Sequence, residues 1–122
     1  MNDNKKIKER AYGFAIDIIK LVGNVPKDTA GLVLGRQLLR SGTSIGANVE
    51  EATGAFSKDD FIFKMNIALK EARETNYWLR LLSDAGMIKD IDLKDALNES
   101  DNLKNILSAI VKTSKERRRV AK

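Results

Sequence analysis

Residues 40–82, RSGTSIGANVEEATGAFSKDDFIFKMNIALKEARETNYWLRLL, decide the fold. The first part is built largely from small residues: Ser41, Gly42, Thr43, Ser44, Gly46 and Ala47. An interior glycine costs an isolated helix about 1 kcal/mol relative to alanine. A helix of this composition persists only where neighbours pack close against it. The last part is a long periodic helix carrying the only tryptophan, Trp78. Phe61, Met65, Ala68, Ala72, Thr75, Leu79 and Leu82 recur at helical spacing and make one apolar stripe. Phe63, Ile67, Trp78 and Leu81 lie off it. A lone surface helix is not apolar this far round. Either this helix is central to a bundle, or its extra face meets another subunit.

Working outward, the chain divides into four helical segments. The first is predicted over residues 4–25, with Ile7, Ala11, Phe14, Ile18, Leu21 and Val25 on one face, and Asn24 and Pro26 at its end. The second is predicted over residues 29–53, capped by Asp28 or Thr29 and stopped by a left-handed Gly54. Its Gly31/Gly35 and Gly42/Gly46 pairs each share a face. Charged Arg36, Arg40, Glu50 and Glu51 exclude a membrane span, so these glycines are expected at close helix contacts. The third begins at the N-cap Ser57, with Asp60 in a variant capping box and Phe56 and Phe61 as a hydrophobic staple, and Gly86 stops it. The fourth is predicted over residues 92–118, with Leu93, Ala96, Leu97, Leu103, Ile106, Leu107, Ile110 and Val111 as its buried stripe and a frayed last turn. Short connections make consecutive helices antiparallel neighbours. The expected fold is all-α, an up-down-up-down four-helix bundle over residues 1–112 with a basic tail at 113–122.

Composition narrows the function. The 122 residues hold 43% hydrophobic and 32% charged residues, one proline, no cysteine and no histidine. That suits a single soluble helical domain without disulfides. Neither a transmembrane segment nor a signal peptide is read, so a cytoplasmic protein is expected. The missing histidine removes the commonest general base and metal ligand. Glu50/Glu51 and Glu71/Glu74 read as solvated or salt-bridged carboxylates, and Ser41 and Ser44 lack a base. Neither enzyme activity nor a metal or other cofactor is expected.

The net charge of +5 sits at the end of the chain. Residues 112–122 carry six basic groups and one acidic, and residues 1–111 are balanced. A second cluster, Lys5, Lys6, Lys8 and Arg10, opens the first helix. The up-down topology brings it to the same pole as Lys115, Arg117, Arg118 and Arg119. These eight are the candidate nucleic-acid contacts, positioning phosphates without reading sequence. Glu50, Glu51, Asp59 and Asp60 join them at that pole and offset part of the charge. A solubilising tail is the simpler alternative. Arg40, Ser44, Asn48 and Glu51 align on one ridge of the second helix. With Arg73 and Glu74 they read as a polar network fixing register or a subunit interface. A small polar binding cleft is the alternative.

The chain also resembles a known family. The residues that carry the resemblance are Arg40-Ser41, Ser44-Ile45-Gly46-Ala47-Asn48-Val49, Glu51, Ser57-x-x-Asp60-Phe61, the run from Ile67 to Thr75, and Tyr77-Trp78-Leu79. Ala11-Tyr12-x-Phe14-Ala15, Pro26-Lys27 and the run from Gln37 to Ser41 fit it too. Together they resemble the bacterial four helix bundle family, also called the 23S rRNA-intervening-sequence protein family. Ala52 departs from it, since many members have glycine there, and the tail after Lys112 lies outside the shared pattern. The resemblance implies a left-turning four-helix subunit assembling into a homopentamer around a narrow channel. It implies no reaction. Some members are encoded inside ribosomal RNA genes, and a related basic pentamer is the accessory protein of diversity-generating retroelements, which works with a reverse transcriptase. The expected partners are copies of the chain itself, RNA or DNA, and a nucleic-acid enzyme. The alternative is a protein-interaction scaffold that reads no nucleic acid directly.

Overall fold

The structure is a computed structural model that describes residues 3–121, with side chains described from residue 6 to residue 120. Four helices follow one another: α1 (Asp3–Val22), α2 (Thr29–Thr53), α3 (Lys58–Asp84) and α4 (Asp90–Ala121). No strand occurs among the described residues. Each helix packs on its chain neighbours, and α1 also meets α4, so the four close into an antiparallel bundle.

Local chemistry sets most of the boundaries. The Asp28 carboxylate accepts the Gly31 N–H at 2.8 Å and starts α2, and the Ser57 hydroxyl accepts the Asp60 N–H at 3.1 Å and starts α3. At the end of α3, Gly86 takes φ +68°. Met87 N donates to the Leu82 carbonyl and Gly86 N to the Ser83 carbonyl, both at 3.0 Å, which is a Schellman stop.

Four sequence expectations are corrected. First, α1 ends at Val22, because Gly23, Asn24 and Val25 form tighter bonds to carbonyls three residues back. Pro26 disfavours helical dihedrals at Val25; the Val25 side chain is still buried. Second, Gly54 ends α2 at φ −100°, so it is not left-handed, and its N–H instead reaches back to the Glu51 carbonyl. Third, Phe56 is 102% exposed, so the staple with Phe61 does not form. Fourth, α4 starts at Asp90 and stays helical to Ala121 rather than fraying. Arg118 anchors that end by donating to Asp59 at 2.7 Å, and Arg118 and Arg119 suit the negative end of the helix dipole.

The core is built from the predicted stripes of α1, α3 and α4 together with Leu38, Ile45 and Val49 of α2, for which no stripe is predicted; Phe61, Ala96, Leu97, Ile106 and Ile110 of those stripes are only half-buried. Ile7, Phe14, Ile18, Leu38, Ile45, Met65, Leu79, Leu82, Leu103 and Leu107 are fully buried. The glycines of α2 set how closely α1 approaches. A Cβ on Gly42 would lie 2.8 Å from Ile18 Cγ2, and one on Gly46 would lie 3.4 Å from the Ala11 backbone. At Gly31 the approach is closer still, because the Pro26 carbonyl occupies the space a Cβ would need. Of the off-stripe set on α3, Ile67, Trp78 and Leu81 are half-buried and Phe63 is exposed.

Candidate functional site

The first helical turns of α1, the α2–α3 turn and the second half of α4 surround an open cleft of about 1220 Å³. Its apolar part comes from Ile7 and Ile62, which are buried, and from Phe61, Ile106 and Ile110, which are half-buried. Lys6, Lys8, Arg10, Lys58 and Arg117 also line it, and no carboxylate among the described residues does. Cations from the two ends of the chain, about 100 residues apart, therefore share one cleft.

Their pairing differs. Lys8 meets Glu50 at 3.7 Å. Arg10 forks onto Glu99 of α4, with Nη2–Oε1 at 2.6 Å and Nε–Oε2 at 3.0 Å. That hydrogen-bonded fork holds the Glu99 carboxyl below its ordinary range and raises the Arg10 guanidinium, with partial desolvation opposing both. Lys6, Lys58 and Arg117 are exposed and have no hydrogen-bond or ion-pair partner among the described residues. The side chain of Lys5 lies outside the described residues. Of the α4 cations, Arg118 is tied to Asp59. Lys112, Lys115, Arg118 and Arg119 cluster with Glu116 around a second, shallower hollow. Arg117 thus joins the α1 cluster, whereas Lys115, Arg118 and Arg119 lie around the other hollow. Three of the four acids at this pole are neutralised locally: Glu50 by Lys8, Glu51 by Lys64 at 3.6 Å and Asp59 by Arg118. Lys58 is the cation of the cleft that sequence reasoning missed. Its signal was local, since it follows the Ser57 cap at the same turn.

The ridge of α2 is occupied by the protein itself. Arg40 Nη1 lies 3.1 Å from Glu71 Oε2, and Nη2 pairs with Glu74. Trp78 Nε1 donates to Glu74 at 3.1 Å. Glu71 is only 7% exposed, so Arg40 compensates a carboxylate removed from water. Ser44 donates to the Arg40 carbonyl at 2.6 Å and Asn48 to the Ser44 carbonyl at 2.8 Å, so both satisfy their own helix rather than a neighbour. Arg73 is exposed and stands outside the network. Sequence reasoning missed the buried polar pairs behind the ridge. The Ser41 and Thr75 hydroxyls lie 2.9 Å apart, and Asn76 donates to Ser100 at 2.9 Å. No buried side-chain nitrogen or oxygen among the described residues lacks a partner. No group of acidic, cysteine or histidine residues that could hold a metal ion occurs among them either.

Four antiparallel helices, short connections and a basic cleft at one pole define a small all-α bundle protein. The family model described as 23S rRNA-intervening sequence protein matches residues 3–109. A crystal structure of a protein of unknown function from the S23 ribosomal protein family of Bacteroides thetaiotaomicron is 40% identical. It covers 91% of this chain and 99% of its own, at a TM-score of 0.84. The chain belongs to the 23S rRNA-intervening sequence protein family. Comparison with curated proteins yields no match. No helix among the described residues is long and apolar enough to cross a membrane.

Proposed function

We propose that the protein is a non-enzymatic, self-assembling helical bundle of the cytoplasm that binds RNA or DNA through its basic pole. The observation that carries this reading is the cleft. Among the described residues it is lined by five cations and no carboxylate, and Lys6, Lys58 and Arg117 have no partner there. Free cations at a concave surface are what phosphate contact requires, and each phosphate neutralised releases counterions. Assembly, a pentamer by family resemblance, multiplies the charge per particle. Exposed Tyr12, Ile19, Leu32 and Val33 on α1 and α2 support it, because burying such large apolar side chains between copies removes them from water.

Anisotropy titration of structured RNA and duplex DNA across a salt series tests the reading, with oligomeric state followed by light scattering. Lys6→Glu combined with Arg117→Glu should weaken binding and flatten the salt slope by about 1–2. An absence of binding at low salt, or a double variant indistinguishable from the parent, would turn the assignment to a protein-interaction scaffold.

A further inference from the structure

Phe56 should have been tucked against Phe61 as a helix staple. Instead its ring stands fully in water at the mouth of the cleft, two residues before the unpaired Lys58. Solvation of a whole phenyl ring forfeits about 1.5–3 kcal/mol of available burial. Lys6 and Arg117 line the same cleft, and the half-buried rings and aliphatic chains of Phe61, Ile106 and Ile110 lie within it. The cations therefore surround a concave apolar surface with a free aromatic face, rather than forming a convex or flat basic stripe.

That geometry discriminates between nucleic acids. A duplex presents phosphates on a convex surface and keeps its bases stacked inside, so it can use the cations but neither Phe56 nor the apolar walls. A single strand offers phosphates and unstacked bases together. An aromatic platform inside a cationic groove is the arrangement that receives such a strand. Resting on the nucleic-acid reading above, we propose that the cleft is a single-strand site. An unpaired base stacks on Phe56, while Lys6, Lys58 and Arg117 hold the flanking phosphates.

The test uses the full chain and two fluorescent probes, a pyrimidine single strand of about ten nucleotides and a duplex of the same length. The single strand should bind more tightly. Phe56→Ala should weaken it about 10-fold, leave duplex binding unchanged, and leave the salt slope unchanged because no phosphate contact is lost. Phe56→Trp should retain binding, with its added indole emission quenched by the stacked base. Both variants alter a fully solvated side chain, and coincident thermal melts would confirm intact folding. Equal affinity for duplex and single strand, or a silent Phe56→Ala, would overturn the single-strand proposal while leaving the basic-pole reading in place. Failure of both probes to bind at low salt would overturn both. Binding of an acidic amphipathic peptide to the cleft, with no single-strand binding, would overturn the proposal in favour of a protein partner.

Discussion

Where α2 meets α3, Arg40 reaches two carboxylates and the hydroxyls of Ser41 and Thr75 lie 2.9 Å apart. Where α1 meets α4, one exposed pair, Arg10–Glu99, is the only side-chain ion pair or hydrogen bond between the two helices among the described residues. On its other side α2 meets α1, where Gly42 and Gly46 let α1 approach closely, seating Ile18 and the Ala11 backbone against the α2 backbone. α1 packs more extensively on α2 than on α4, and its first turns, with the second half of α4 and the α2–α3 turn, border the open cleft. The seams made by α2 are tight, and the candidate site lies on the looser side.

The largest effect that sharpens this contrast is expected at Arg40. Arg40→Ala leaves Glu71 a buried carboxylate without its cation, and removing one partner of a buried pair costs about 3–5 kcal/mol. Arg40 is itself half-exposed, and water reaching the gap lowers the expected loss to about 2 kcal/mol. Urea unfolding would show it as a fall in midpoint at constant slope. A loss no greater than that from Arg10→Ala would break the comparison. Next comes Gly42→Ala. Helix propensity favours alanine by about 1 kcal/mol. The new methyl, however, meets buried Ile18 at 2.8 Å, and overpacking of this kind costs about 1–3 kcal/mol. Net destabilisation of about 1 kcal/mol is expected. Gly13→Ala on α1 has the opposite sign, a gain of up to about 1 kcal/mol, because nothing lies within 4 Å of the added atom. The same sign at both positions in a thermal melt would mean that close approach does not control the α1–α2 seam.

The tight seam was the more legible in sequence. Small residues at i and i+4 announce a close helix contact, and the caps at Asp28 and Ser57 are local events with local signals. The bounds of α2 and the buried stripe of α1 were readable for that reason. The partner of Arg40 was only half readable. Glu74 was a candidate, whereas buried Glu71 looked like surface because its neighbours in sequence, Lys70 and Arg73, seemed to neutralise it. The open seam left fewer traces. Arg10 and Glu99 are 89 residues apart, and no periodicity connects them. The release of Phe56 from its staple and the extension of α4 to Ala121 likewise depend on tertiary context. The same is true of the cleft, which is assembled from all four helices and the α2–α3 turn.

The smallest expected effect belongs to the open seam and depends on pH. The fork from Arg10 holds the folded Glu99 carboxyl below its ordinary value of 4.5, which the unfolded chain retains. A group whose folded pKa is depressed stabilises the fold fully above the unfolded value and loses that contribution as pH falls through the folded one. Glu99→Gln should therefore lower stability at pH 7, by less than about 1 kcal/mol because the pair is partly solvated. The difference from the parent should shrink below pH 4.5 and vanish once Glu99 is protonated in both states. Thermal melts of the two proteins from pH 7 downward would show convergence if the seam rests on this pair. A difference independent of pH would mean that the carboxylate's charge contributes nothing, and that α1 and α4 are held together by their apolar contacts alone. Salt provides an independent check, since an exposed pair is screened while packing is not. Added salt should narrow the gap at pH 7 and leave the Arg40→Ala deficit, which originates at a buried carboxylate, nearly unchanged.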